Sequence, residues 1–370
     1  MGIGIEPYRE ELAPAVKEFN QRLGAGGVAP EFHFPESSIP AWLPRVDGRR
    51  IYQEYYLAVE GEVVRGGFIL KHQDFCVKGE MRPLVYYHLP VSEGIVDKAY
   101  ASVGVHMLRS ALTLQPMLFA LGMGGFDRPL PQMLKAMGWE LRAVPFHFKV
   151  NHPARVLRQV APLRRGRGRR ALADVAAWTG AGWLGVKAVQ LARTRPATRG
   201  VTAEDVKSFG AWADDLWEEC RSRYTMVASR DSATLNVLYP SWKSFVCLKI
   251  RRGPRVLGWA VTLDTRMREN KYFGDLRVGS IVDGFAAPED AAAVVQSATR
   301  RLEQRGVDLI VSNQSHRAWR RALRSAGFLG APSNFIFAAA KPVAALLTPL
   351  DANHDRIFVN RGDGDGPVNL

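Results

Sequence analysis

The sequence predicts an α/β protein with mixed sheets, built from two tandem domains of one kind, and three observations predict it. The first is internal repetition: Leu134-Lys-Ala-Met-Gly138-Trp139 and Leu323-Arg-Ser-Ala-Gly327-Phe328 lie 189 positions apart. The same offset then places Phe146 and Phe148 on Phe335 and Phe337, Pro153 on Pro342, and Leu157 on Leu346. A single long-period repeat means a duplicated folding unit rather than a solenoid. The second is size and composition: 370 residues, 47% hydrophobic and 23% charged, suit two domains of roughly 150 residues each. The third is the order of periodicities, which switches between strand and helix spacing in the same sequence in both halves.

Residues 3–6 read as a short strand, and residues 10–23 carry apolar side chains at helical spacing. Residues 55–70 form a hairpin, two β-rich runs around a turn containing Gly61. Its counterpart is residues 245–261 around Gly253, at an offset of 192, so the halves have drifted by three residues. Strands follow at residues 83–89 and 279–285, each leading into a helix, at 96–114 and 288–305. A buried strand, a helix and a last strand close each half: 117–122, 130–137 and 144–150, then 308–312, 316–326 and 334–339. The expected domains are residues 1–157 and 201–350, joined by a basic helical linker over 158–200 and followed by a tail over 351–370.

Net charge is +14, and the linker carries most of it: residues 151–200 hold eleven Lys and Arg side chains against Asp174 alone. Residues 171–192 are mostly apolar, contain Trp178 and Trp183, and have arginines crowding both ends. This pattern suits a surface helix packed across the domains, or a segment lying in the headgroup layer of an anionic membrane. Asp174 and Lys187 argue against a spanning helix, since each charge at membrane depth costs about 3 kcal/mol. The acidic N-terminal stretch is unlike a signal peptide, so the expected location is the cytoplasm, with peripheral attachment at the inner face of the membrane through residues 158–200. Cys76, Cys220 and Cys247 are far apart and show no metal-ligand spacing, so no metal is expected. Arg361-Gly-Asp363-Gly-Asp365-Gly lacks the later Glu of a calcium loop and is expected to be a flexible acidic tail.

The order of elements, with Gly-Trp or Gly-Phe closing the last helix, resembles the GNAT superfamily of acyl-CoA-dependent N-acyltransferases. The stretch Arg230-Asp-Ser-Ala-Thr-Leu-Asn-Val-Leu-Tyr239-Pro further resembles tandem-GNAT proteins of bacterial surface-polysaccharide and cell-wall pathways, and Fem-type peptidyltransferases share that two-lobed plan. The resemblance implies acetyl-CoA or a longer acyl-CoA as donor, its pyrophosphate resting on backbone N–H groups at the start of the helix after the central strand. Glycine there lets backbone approach phosphate, and the helix N-terminus supplies positive partial charge. The nearest match in the first half is Ser102-Val-Gly104, which keeps one glycine, lacks the leading Arg or Gln, and lies inside the expected helix. In the second half Asp283-Gly-Phe-Ala-Ala-Pro-Glu-Asp290 puts acids where a pyrophosphate would rest.

The resemblance also implies a general base on the central strands and a tyrosine in the last helix that protonates the leaving thiolate. The tyrosine positions hold Leu134 and Leu323. Asp283, at the end of the apolar run Ser-Ile-Val, is the candidate base, because apolar surroundings raise a carboxylate's pKa. His147 alternates with Phe146 and Phe148; if the rings face the core, His147 is exposed or lines a groove between the domains and is a second catalytic candidate. Arg230, Asn236, Tyr239 and Trp242 are candidate acceptor-binding residues.

Three function classes fit these observations. An acyltransferase would move an acyl group from acyl-CoA to an amine or hydroxyl of a small or lipid-linked sugar or amino-acid-type envelope precursor. A catalytically silent scaffold in polysaccharide assembly is favoured by the degenerate donor loops and absent tyrosines. A Fem-like transferase using aminoacyl-tRNA gains support from the basic charge, but its usual coiled-coil insertion is absent, and nucleic acid is not the expected partner.

Overall fold

In the computed structural model the described residues are 2–159, 185, 188, 190, 192, 199–240, 245–270 and 273–364. Most of the basic linker therefore lies outside them, as do Trp242 and residues 365–370. The first half runs β1 (Gly4–Pro7), α1 (Ala13–Ala25), β2 (Tyr52–Glu60), β3 (Val63–Val77), β4 (Glu80–Ser92), α2 (Val103–Leu114), β5 (Leu118–Gly122), α3 (Pro129–Ala136) and β6 (Glu140–Ala143). Next come β7 (Phe146–Val150) and α4 (Pro153–Gln159), then β8 (Val201–Val206), α5 (Ala211–Cys220), β9 (Met226–Ala228) and α6 (Ser232–Leu238). The rest of the second half is β10 (Phe245–Arg252), β11 (Arg255–Arg266), β12 (Arg277–Ala286), α7 (Ala291–Gln304), β13 (Leu309–Asn313), α8 (Arg317–Ser325), β14 (Leu329–Ala331) and β15 (Ile336–Ala339). Helices α9 (Lys341–Leu346) and α10 (Leu350–Asn353) follow.

Both hairpins turn through two residues. Glu60 pairs with Val63 across Gly61, and Arg252 with Arg255 across Gly253; the glycines have φ +63° and +56°, a region that glycine enters without a side-chain penalty.

The chain forms two units, Met1–Arg142 with Ile336–Leu350, and Ala143–Phe335 with Asp351–Leu370. The sheet of the first unit runs β1-β2-β3-β4-β5-β15-β6, and that of the second β14-β7-β13-β12-β11-β10-β8. These are the same order with the last strands exchanged. β15, from the second half of the sequence, lies antiparallel to β5 with Phe337 opposite Leu121, whereas β7, from the first half, lies antiparallel to β13 with Phe148 opposite Val311. The expected boundaries at 157 and 350 therefore differ from the units, because each half donates its closing strand to the other half's sheet. The matched positions Phe148 and Phe337 occupy equivalent places in opposite sheets.

The core of the first unit lies between its sheet and α2, where Phe68, Leu70, Val85, Tyr87, Met107, Leu108, Leu118 and Ala338 are buried together. A second cluster packs Val16, Phe19 and Leu23 of α1 against Leu57 and Ile69. In the second unit Val278, Leu309 and Val311 pack with Val150 and Val156, and Phe146 and Phe148 lie against them.

The repeated Leu-x-x-x-Gly-aromatic motif is a helix stop. Gly138 and Gly327 have φ +80° and +87°, and the next residue's N–H returns to the helix: Trp139 to the Leu134 carbonyl at 3.1 Å, Phe328 to the Leu323 carbonyl at 3.0 Å. This closes a left-handed C-terminal cap and turns the aromatic ring inward onto the leucine; all four side chains are buried. Gly327→Ala is expected to destabilise the second unit by about 1–2 kcal/mol through the left-handed backbone alone, read as a lowered denaturation midpoint with unchanged slope.

Candidate functional site

A parallel pair that stops pairing part-way leaves a crevice beyond the strands' carboxyl ends, where open α/β sheets bind ligands. Among the described residues each unit has one such pair of strands. β4 and β5 pair only at Val85–Leu118 and Tyr86–Phe119, and β12 and β13 only from Val278–Leu309 to Ser280–Val311. A bulge follows on the central strand in both cases. Two residues, Leu89 and Pro90, stand opposite Phe68, and Val282 is the extra residue opposite the Val261–Thr262 step. Leu89 takes φ +44°.

The chain itself fills the crevice of the second unit. Ile357, Phe358 and Val359 are buried and tied in through Ser315: its Oγ donates to the Ile357 carbonyl at 2.6 Å and accepts from Val359 N at 2.7 Å. Residues 360–363 then reach Asp283. Asp283 Oδ1 accepts from Asn360 Nδ2 at 2.7 Å, Gly284 N at 2.8 Å and Arg230 Nη2 at 3.3 Å, while Oδ2 accepts from Tyr239 Oη at 2.7 Å. Arg230 Nε lies 3.1 Å from Oδ2 but is poorly aligned for a hydrogen bond. Arg230 Nη2 also donates to Asp363 Oδ1 at 2.5 Å. Arg230, Asp283 and Asn360 are wholly buried and Asp363 nearly so. Asn360 and Asp363 cap the turn reciprocally: Gly362 N donates to Asn360 Oδ1 and Asn360 N to Asp363 Oδ2, each at 2.9 Å.

Two carboxylates thus share one guanidinium in a dry site. Burial raises the Asp283 pKa; Arg230 opposes this, and Asp363 adds to it. Burial would lower that of Arg230, but Asp283 and Asp363 outweigh it and push it up. Burial and Asp283 hold the Tyr239 hydroxyl well above its ordinary value, so it acts as a donor. The expected raised pKa at Asp283 is present, but both oxygens are engaged and no face is open to a substrate. Its geometry is that of an anchor for the C-terminal segment. That segment also departs from the flexible acidic tail expected at residues 361–366, at least as far as Gly364. The Asn-x-x-Asp capping spacing and the apolar Ile-Phe-Val run were the overlooked signals.

The other expected residues separate. Tyr239 and Arg230 meet at Asp283, whereas Asn236 on α6 exchanges two 2.9 Å hydrogen bonds with the backbone of Phe209 and so clamps the loop before α5. His147 on β7 is 4% exposed, opposite Ser312 and Gly330, with Nδ1 unpartnered. Burial, then Arg324 and Arg320, push its pKa down to about 4. It is neutral at pH 7 and buried, not exposed as expected. The alternation was right: Phe146 and Phe148 do face an apolar cluster, but the opposite face of the sheet is covered too.

The crevice of the first unit differs. His88, Leu89 and Pro90 are half-buried, where Val282 and Asp283 are closed over. The expected helix over 96–114 begins only at Val103, after two short 3-10 turns, Glu93–Ile95 and Lys98–Tyr100. Ser102 is therefore the N-cap of α2 and Gly104 its second residue, which places both at the helix N-terminus instead of inside the helix. Ser102 makes no side-chain cap, and the first turn holds no acid. A Cβ added at Gly104 would meet only Ser92 Oγ, at 3.7 Å. Leu134 and Leu323 are fully buried. Among the described residues no group of His, Cys, Asp and Glu could hold a metal ion, and no helix is long and apolar enough to cross a membrane.

No family model matches the chain, and no curated protein matches it. Solved structures do. A conserved protein of unknown function from Enterococcus faecalis V583, described as a probable N-acyltransferase, aligns over 93% of this chain and 74% of its own at 10% identity, with a TM-score of 0.50. Saccharomyces cerevisiae N-myristoyltransferase with bound myristoyl-CoA and inhibitors aligns over 92% and 79% at 9% identity, with a TM-score of 0.50. A tandem GNAT protein from the clavulanic acid biosynthesis pathway covers 91% of this chain and 98% of its own at 11% identity, with a TM-score of 0.49. Alignment along almost the whole chain agrees with one strand order occurring twice. The chain shares the fold of the first two of these structures. The first unit keeps the helix N-terminus beside its crevice free of acids, and the second has its crevice occupied by the chain's own Asn360–Asp363 turn.

Proposed function

We propose that the protein is an acyltransferase that binds acyl-CoA in the first GNAT unit, with the donor's pyrophosphate on the N-terminus of α2 around Ser102 and Gly104. The observation that carries this reading is the contrast between the two crevices. One is filled by residues 360–363, and the other ends at a helix whose first turn has no acid, no side-chain cap and a glycine. Backbone N–H groups there offer partial positive charge to phosphate. The acceptor's amine or hydroxyl attacks the thioester carbon, the C–S bond breaks, coenzyme A leaves as thiolate, and the acceptor's proton passes to water. Leu134 and Leu323 cannot protonate the thiolate, so solvent takes that role. An acceptor among sugar or amino-acid-type envelope precursors rests on resemblance alone, since Arg230 and Tyr239 of that stretch are committed to Asp283. Attachment of residues 158–200 to an anionic membrane surface would suit a lipid-linked acceptor.

Titration calorimetry with acetyl-CoA and a long-chain acyl-CoA tests the reading. One saturable site per chain is expected, and Gly104→Glu should weaken it at least tenfold. An acid in a helix's first turn favours the helix, and the added side chain has room, so melting temperature should not fall. Absence of binding by both donors would leave the silent scaffold, which the buried leucines at both tyrosine positions favour.

A further inference from the structure

The second unit contains a cavity of about 370 Å³ whose lining includes Arg223, Glu289, His316, Arg317, Arg321 and Arg356. Four guanidinium groups face one carboxylate. Glu289 is matched by Arg223, whose Nη2 lies 3.1 and 3.2 Å from its two oxygens, whereas Arg317, Arg321 and Arg356 form no ion pair among the described residues. Arg317 and Arg321 are one turn apart on the same face of α8, which this cavity meets at its N-terminus. The first turn of α8 holds no acid. A cation there opposes the helix dipole, and an unpaired group of three arginines repels itself, so the arrangement costs free energy until an anion enters. His316, 3% exposed, lies at the cavity wall. Its Nδ1 accepts from Ala318 N at 3.2 Å, which fixes the tautomer and makes Nε2–H a donor. Burial, then Arg317, Arg320 and Arg356, push its pKa down to about 4, so at pH 7 it acts as a neutral donor.

We propose that this cavity is a second ligand site, which holds the diphosphate of a ligand other than the acyl donor between Arg317, Arg321, Arg356 and the N-terminus of α8. Guanidinium forks match phosphate oxygens in pairs, and backbone N–H groups complete the shell. The filled crevice beside Asp283 leaves no channel between β12 and β13 for an acyl-carrying arm, which is why the ligand is distinct from the donor. The site lies wholly in the second unit and does not depend on the donor reading for the first.

The test is titration of the full chain with inorganic pyrophosphate, ADP and acetyl-CoA at about 0.15 M salt. It compares wild type, Arg317→Gln with Arg321→Gln, and a control, Arg266→Gln with Arg268→Gln, that removes the same charge from exposed positions elsewhere in the unit. Pyrophosphate and ADP are expected to bind, at least tenfold more weakly to the cavity variant and unchanged to the control. The unliganded cavity variant should melt no lower than wild type, since two repelling charges are gone. Gly104→Glu should leave pyrophosphate binding intact. The proposal is overturned if wild type binds neither probe, if both double variants lose binding equally, or if the cavity variant loses acetyl-CoA binding in parallel. That last result would make the cavity the donor's own phosphate site.

Discussion

Arg230→Met is expected to destabilise the second unit by about 3–5 kcal/mol, the cost of leaving a buried charge without its partner. For a unit of this size that is a fall in melting temperature of roughly 6–20 °C. The substitution keeps most of the apolar length of the side chain but strands Asp283 and Asp363, both essentially without solvent. The response to pH identifies the cause. A carboxyl whose folded pKa lies above its unfolded value binds its proton more tightly when folded, so its contribution to stability is present at low pH and lost as pH rises through the folded value. Asp283 is already raised, and removing Arg230 takes away the charge that opposes burial. The gap between variant and wild type should therefore be smaller at pH 5 than at pH 8. Adding Asp283→Asn and Asp363→Asn to Arg230→Met should recover part of the loss and remove the pH dependence. A gap that is the same at both pH values would mean lost packing, and the account of Arg230 as counter-ion would be wrong.

What the sequence disclosed divides along physical lines. The helix stops at Gly138 and Gly327 were legible because a left-handed residue with an inward aromatic after it is a local signal, and duplication repeated it in register. The hairpin turns at Gly61 and Gly253 were legible because each glycine stands between two β-rich runs, a local signal that the duplication repeats. The pairing of Arg230 with Asp283 was not, since 53 positions separate them and each is an ordinary polar residue until the strand buries it. The apolar run before Asp283 signals its burial, whereas its partners Asn360 and Asp363 lie in a segment whose glycines and acids read as tail. The late start of α2 was hidden because residues 93–102 include good helix formers, and their 3-10 turns depend on tertiary contacts. Glu93, for example, is buried and ion-paired to Arg22 and Arg65.

The strand exchange was invisible for a deeper reason, and it yields the second large effect. Strands β7 and β15 are matched by the repeat, so each satisfies the alternation that either sheet requires, and nothing local states which sheet it joins. A fragment of residues 1–142 would lack β15, exposing the backbone edge of β5 and of β6 together with the apolar surface that Ile336, Phe337, Ala338 and Ala339 cover; all four are buried. Unpaired, apolar strand edges associate with one another. The fragment is expected to be insoluble or to elute as aggregate in size-exclusion chromatography. The same fragment joined by a flexible Gly/Ser linker to residues 336–350 should run as a soluble monomer with a cooperative melt, because β15 then restores the ladder from Phe119–Ala339 to Gly122–Ile336. A fragment of residues 1–157, which follows the boundary expected from sequence, retains β7 and serves as the competing arm. If β7 folds back into the place of β15, that fragment also becomes soluble, and the preference of each closing strand for the opposite sheet is a matter of connection, not of side chains. If it aggregates as the shorter fragment does, the side chains themselves choose: Phe146, Phe148 and Val150 fit β13, and Phe337 with the three small or branched residues around it fits β5.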